Sequence, residues 1–242
     1  MPAEPANFAL ELDDLALTGR TQAHVRELPE PRCLLHPQAA AALLAMRSAA
    51  ATVGLDLTPV SGFRDFARQL AIWNAKFRGE RPLLDRHGRP VERAGLDEAA
   101  IVGHILCWSA LPGASRHHWG TEIDVIDGRQ LRAEQRPELL PADYQAGGPF
   151  APLNSWLDTH AERFGFYRPY DLDRGGVQPE PWHLSFAPIA QRALKRLTLP
   201  VLRAALAGAQ LEGRATVLAQ LSRIYEQYVL AVASPPPQAL KA

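Results

Sequence analysis

The sequence predicts an α+β protein. Three observations carry this. Short β-type runs at Leu55–Val60, Thr121–Ile126 and Trp182–Phe186 are separated by helical stretches without the strand–helix–strand rhythm of a doubly wound sheet. The helical stretches carry start and stop residues at their ends. From Pro188 onward the chain is rich in Ala, Leu, Arg and Gln and reads as helix alone.

The elements follow in order. The first thirty-five residues are mixed, with Pro29 and Pro31 and no clean period, and read as an irregular arm on the main domain. Pro37 suits a first helical position, and an Ala/Leu-rich run continues to Gly54, which suits a stop. Leu55–Val60 is a candidate strand, and Pro59 places it near an edge. Ser61-Gly62-Phe63-Arg64 is a turn, and Asp65 is the N-cap of a helix from Phe66 to Phe77 in which Phe66, Leu70, Trp73 and Phe77 share a face. Residues 79–95, with Pro82, Gly88 and Pro90, read as a surface loop. Leu96–Ala110 is helical and ends at Pro112-Gly113.

In Thr121–Ile126, period two puts Glu122, Asp124 and Ile126 on one face and Ile123 and Val125 on the other. A loop at 127–148, a helix at Pro152–Arg163, a strand-like Gly165–Tyr170 and a loop at 171–181 lead to the run at Trp182–Phe186. Two or three helices fill 190–233, with Leu211, Leu218, Leu221, Tyr225, Tyr228 and Val232 as an apolar face expected to pack on the parent domain. The expected organisation is a catalytic unit at 1–187 including the arm, a helical C-terminal extension at 188–233 and a flexible tail at 234–242.

Bulk properties exclude several function classes. Lys+Arg and Asp+Glu stand at 26 each, so no net field draws the chain to nucleic acid or anionic lipid. No run approaches the roughly 18 apolar residues of a membrane span. Met1-Pro2-Ala3-Glu4-Pro5 lacks a basic segment followed by an apolar run, so no secretory signal is read and a cytoplasmic location is expected, or an extracytoplasmic one if a signal has been removed. Cys33 and Cys107 form no C-x-x-C pair and are expected as buried free thiols.

The chemistry lies in two segments, Ser115-Arg116-His117-His118-Trp119-Gly120-Thr121-Glu122-Ile123-Asp124 and Glu180-Pro181-Trp182-His183. Catalytic zinc takes three nitrogen or oxygen ligands and keeps one position open. His117, Asp124 and His183 supply such a set, with Gly120 letting the backbone turn from loop into strand. His118 is the rival to His117, but neighbours on an extended segment point to opposite sides, so only one faces the metal. Glu180 is three positions before His183 and, with Pro181 blocking a helix, is placed to move protons beside the metal. His24, His36, His87, His104 and His160 lack metal-like neighbours and are read as surface or core residues.

These motifs, with Ser61-Gly62-Phe63-Arg64 and Gln69 upstream, resemble the zinc D-Ala-D-Ala carboxypeptidase and dipeptidase family. That family includes vancomycin-resistance enzymes and bacteriophage endolysins, and shares a wider fold with lysostaphin-type peptidases and the hedgehog signalling domain. The resemblance covers residues 35–187. It implies a small, mostly antiparallel sheet flanked by helices, with Zn2+ in a cleft held by His117, Asp124 and His183. It implies Glu180 as general base and acid, and Arg64 as the cation aimed at the scissile carbonyl oxygen. Ser115 is implied as a substrate contact, to the terminal carboxylate among other groups. Gln69 is a further substrate-contact candidate, with an exposed helix position as the equal alternative.

The sequence departs from the family pattern at Glu122, where relatives often carry a small residue. A carboxylate there either orients a ligand histidine or Arg64 from behind, or narrows and charges the pocket. Trp182 is expected as packing beneath the site. The expected function is hydrolysis of a peptidoglycan-type peptide or precursor, as a D-alanyl-D-alanine carboxypeptidase. The alternatives are an endopeptidase cutting an L-Ala-D-Glu or cross-bridge bond, and a non-catalytic zinc-stabilised binding module.

Overall fold

A computed structural model describes residues 12–131 and 138–241. The expectations for residues 1–11 of the arm, 132–137 of the long loop and Ala242 of the tail therefore lie outside the described residues. The chain runs α1 (Asp14–Leu17), β1 (Arg26–Leu28), β2 (Cys33–Leu35), α2 (Pro37–Ala51), β3 (Leu57–Ser61), α3 (Phe66–Arg78), β4 (Leu83–Leu84), β5 (Pro90–Val91), α4 (Glu98–Trp108), β6 (Glu122–Asp127), α5 (Ala151–His160), β7 (Phe166–Tyr167), β8 (His183–Phe186), α6 (Ala187–Arg196), α7 (Leu199–Leu206), α8 (Arg214–Ala219) and α9 (Leu221–Ile224). A π-helical segment, Tyr225–Leu230, continues α9.

The architecture is α+β. The main sheet has the order β3-β6-β8-β7, and its pairings are antiparallel. Local chemistry places its ends. Pro37 lies in the first turn of α2, and Gly54 sits left-handed just beyond it. The Asp65 carboxylate caps α3 by accepting from the Arg68 amide at 2.6 Å. Pro59 lies on the edge strand β3, where a missing N–H is tolerated, and a register shift follows it before Ser61 pairs with Asp124.

Strand β6 is buried along its whole length. Ile123 and Val125 enter the main core with Leu43 and Met46 of α2 and Trp73 of α3. The opposite face carries Glu122 and Asp124, registered against Ser185 and His183 of β8. Two antiparallel neighbours thus bring the second motif beside the first.

The segment 79–95 is a hairpin of β4 and β5, not the plain surface loop expected. The Trp108 indole donates to Asp85 O at 2.8 Å and ties the hairpin to the end of α4, a tertiary contact that punctuation residues cannot encode. The C-terminal helices sit on the main core through Leu197, Leu202, Leu206, Val217, Leu221 and Ile224. Against the two or three helices expected over 190–233, the last helical stretch is interrupted at Gln220 and ends in the π-helical segment, with Val217, Ile224 and Val229 buried in the core beside half-buried Leu218, Tyr225 and Tyr228. In the segment from Ser234, expected as a tail, Ala239 is fully buried against Tyr167 and Ala187. Both cysteines are buried and free among the described residues.

Candidate metal centre

His117 lies on a 3₁₀ turn, Arg116–Trp119, that Gly120 ends in the left-handed conformation (φ 68°). A Cβ on Gly120 would meet Val25 Cγ1 at 2.4 Å, so glycine is required by conformation and by space. Successive side chains on such a turn diverge by about 120°. His117 therefore faces Asp124 while His118 turns away. His118 accepts from the Gly113 amide at 3.1 Å and donates from Nδ1 to Arg64 O at 2.6 Å. The twist of a 3₁₀ turn, rather than the alternation of an extended strand, is what separates the two imidazoles.

The ring of His117 is fixed by its Nδ1, 2.7 Å from the Gly62 carbonyl oxygen. A carbonyl only accepts, so Nδ1 carries the hydrogen and Nε2 a lone pair. Burial, with Asp124 opposing it, drives the His117 pKa down to about 3, so the ring is neutral. That Nε2 lone pair lies 3.4 Å from Asp124 Oδ2. Two electron-rich atoms facing each other at this distance call for a cation between them.

His183 reinforces the argument. Its Nδ1 lies 3.0 Å from Asp124 Oδ1 and 3.6 Å from Glu180 Oε2, and its Nε2 lies 2.9 Å from Glu122 Oε2. Burial disfavours charge on this imidazole, but its bonds to Asp124 and Glu122 prevail and raise its pKa to about 10. A field that favours positive charge here also favours a bound cation. One donor atom each from His117, Asp124 and His183 lies within 4.8 Å of the others. Two imidazoles and a carboxylate around one point form a donor set suited to zinc, and the residues present fit the ion.

Glu122 lies behind His183. It is fully buried, pairs with Arg116 Nε at 3.3 Å, and accepts from Thr121 Oγ1 at 3.0 Å and Ser185 Oγ at 2.8 Å. Of the two orienting partners expected for Glu122, the structure selects the histidine. The paired arginine is Arg116, not Arg64. Arg116 passed unnoticed in the sequence because it stood as a spacer between Ser115 and His117. It is buried, donates to Ser185 Oγ at 2.6 Å and Tyr167 Oη at 3.1 Å, and lies over the Trp119 ring. The one usable signal was Glu122 itself, since a carboxylate on a buried strand requires a buried counter-charge.

Glu180 is brought back by a turn in which the His183 amide donates to Glu180 O at 3.1 Å. Burial pushes its carboxyl up to about 7, with His183 opposing and Asp124 adding to the shift. Arg64, in the turn before α3, is held by Gln69 Oε1 at 2.9 Å and Ser61 Oγ at 3.3 Å. Gln69 also donates to Ala110 O at 2.7 Å and is fully buried. It is not an exposed position: its amide ties Arg64 to Ala110, just beyond α4.

Arg64, Ser115, His117, Asp124, Glu180 and His183 all line one pocket of about 330 Å³. Its walls include Trp108, Tyr170 and Trp182, and Trp182 also packs on Tyr144 with ring centroids 5.8 Å apart. Lys76, Arg81 and Ser109 line it too, although the sequence gave no motif around them. No described helix is long and apolar enough to cross a membrane.

Residues 32–189 match the sequence model of a family described as VanY: D-alanyl-D-alanine carboxypeptidase. An uncharacterized protein of Haemophilus influenzae is 33% identical over 128 residues, which span 52% of this chain and 95% of that protein. A D-alanyl-D-alanine carboxypeptidase of Enterococcus faecalis is 26% identical over 114 residues, 46% of this chain and 36% of that one. Among solved structures, VanYB in complex with D-alanine-D-alanine is 22% identical with a TM-score of 0.49, covering 77% of this chain and 89% of that one. The LD-carboxypeptidase LdcB is 20% identical with a TM-score of 0.46, covering 74% and 71% respectively.

Proposed function

The chain belongs to the VanY D-alanyl-D-alanine carboxypeptidase family, and from that premise we propose that it is a zinc peptidase releasing the C-terminal residue of peptidoglycan-type peptides, D-alanyl-D-alanine termini first among them. The observation that carries this reading is the meeting of a His-Asp-His donor set with a carboxylate of raised pKa in one pocket. His117, Asp124 and His183 would hold the ion, and Glu122 would orient His183 from behind. When bound, zinc supplies Lewis acidity, polarising the scissile carbonyl and acidifying the attacking water.

The chain's own residues do the rest. Burial pushes the Glu180 carboxyl up to about 7, which suits it to take a proton from the attacking water and return it to the leaving amine. Arg64, immobilised by Gln69 and Ser61, presents a fixed positive charge to the oxygen on which negative charge develops, with no reorganisation during the reaction. Ser115 offers its hydroxyl to the substrate backbone from the pocket wall. Trp108, Tyr170 and Trp182 exclude water around a small peptide end.

A volume of about 330 Å³ is at the small end of ligand pockets, which supports a chain terminus over the middle of a cross-bridge. Glu180 and Arg64 in the same pocket support turnover over passive binding. The catalytic unit is residues 1–187, and the helices of 188–233 serve it by covering its core.

The test is Glu180→Gln. D-alanine release from a pentapeptide is expected to fall by about 10²–10⁴-fold while zinc content, read by elemental analysis, stays at the wild-type level. Unchanged release with zinc retained would falsify the assignment of Glu180, and zinc-loaded wild-type protein inert on every wall peptide would return the binding-module reading.

A further inference from the structure

Beside Arg64 the pocket has further cationic residues that none of the roles above uses. This wall is built from the C-terminal half of α3, the residues just after it and the end of α4, which bring Lys76, Arg81 and Ser109 together with Arg64. Lys76 is half-buried, and its ammonium donates to Ser109 Oγ at 2.7 Å. Neither Lys76 nor Arg81 forms an ion pair with a described carboxylate, although Glu138 and Glu180 line the same pocket. Nearby arginines contrast with this: Arg78 pairs with Glu80, and Arg89 with Asp85.

Holding like charges together, one of them partly desolvated, is unfavourable unless an anion is met there. Burial, with Arg81 adding repulsion, lowers Lys76 to about 8, while Glu180 draws it back up. Lys76 and the proposed proton carrier Glu180 line the same pocket. In a peptide with a free C-terminus, the α-carboxylate is one residue, at most about 3.6 Å of chain, beyond the scissile carbonyl. A cation in the same pocket as the proton carrier suits the terminal carboxylate better than a group far along the chain.

We propose that Lys76, seated on Ser109 and assisted by Arg81, anchors the free α-carboxylate of the substrate's C-terminal residue and so makes the site exopeptidic by charge. This rests on the peptidase reading above. It moves carboxylate recognition from Ser115 to a residue outside the family motifs. Internal peptide bonds and amidated C-termini lack the anion and leave Lys76 desolvated without a partner.

The experiment compares a pentapeptide ending in D-alanyl-D-alanine with its C-terminal amide, using zinc-loaded full-length protein. Wild type is expected to prefer the acid. Lys76→Met is expected to lose on the order of 100-fold in kcat/KM on the acid, carried mainly by KM, and little on the amide, with Lys76→Arg restoring part of the preference. Arg81→Gln, an exposed change that leaves the core untouched, is expected to lose about 10-fold on the acid alone. Wild type cutting amide and acid equally, or Lys76→Met losing equally on both, overturns the anchor. A second readout needs no turnover. N-acetyl-D-alanine binding, titrated calorimetrically, should weaken at least about 10-fold in Lys76→Met relative to wild type. Unchanged binding overturns the anchor. Weakened binding in a protein that hydrolyses nothing would leave the anchor standing and remove the peptidase.

Discussion

Glu122 is enclosed on one side by Arg116 and on the other by His183, with Thr121 and Ser185 hydroxyls filling its remaining acceptor sites. Such a pair holds only because each member satisfies the other, and removing one strands a buried charge. Arg116 is thus a positioning residue: it holds the carboxylate that holds the imidazole that faces Asp124. Arg116→Met is expected to destabilise the fold by about 3–5 kcal/mol and to weaken zinc binding by about 10–100-fold, measured by thermal denaturation and by chelator competition. An unchanged zinc affinity would show that His183 needs no support from behind. Glu122 itself was legible as a carboxylate sharing the strand face of Asp124, because period two along a strand is a local rule. Its partner Arg116 was not, since the 3₁₀ turn that aims the guanidinium at Glu122 is set by Gly120 and by the packing of Trp119.

The element that organises the site is the 3₁₀ turn between α4 and β6. It contributes His117 to the donor set, and through His118 it clamps the turn that carries Arg64. His118 must be neutral to donate from one nitrogen while accepting at the other, and burial lowers its pKa to about 4. The unfolded chain binds that proton near pH 6.5. Between those values the unfolded state holds more protons, so this contribution to stability is complete above pH 6.5 and is lost as pH falls toward 4, amounting to about 3 kcal/mol. The melting temperature is expected to drop over that window, and the slope should flatten in His118→Gln. An equally steep slope in the variant would place the acid sensitivity elsewhere. At this scale the sequence marked helix ends well, because Pro37, Gly54 and Asp65 act locally, through their own backbone or a capping side chain. It missed the β4–β5 hairpin and the π-helical end of the C-terminal helices, both fixed by contacts distant in sequence.

Across the whole molecule, the helices after residue 188 share the core of the sheet: Leu197, Leu202, Leu206, Val217, Leu221 and Ile224 are buried within it. Each such side chain contributes about 1.5–3 kcal/mol by burial, in sum comparable to the whole net stability of an ordinary domain. A chain cut after Pro188 is therefore expected to be insoluble or unfolded by circular dichroism, and a folded, active truncation would show the extension to be dispensable. The sequence alone determined the α+β class and the family, and it singled out His117, Asp124, His183 and Glu180, which the fold brings into one pocket. These depend on residue type and short-range spacing, which a motif records directly. Only the tertiary structure turned His117 toward Asp124 and His118 away from it, paired Glu122 with Arg116 and His183, buried Gln69 against Arg64, and gathered Lys76, Arg81 and Ser109 along one wall. Each of those outcomes is a meeting of side chains from separate elements, and such meetings exist only once the core has fixed how the elements cross.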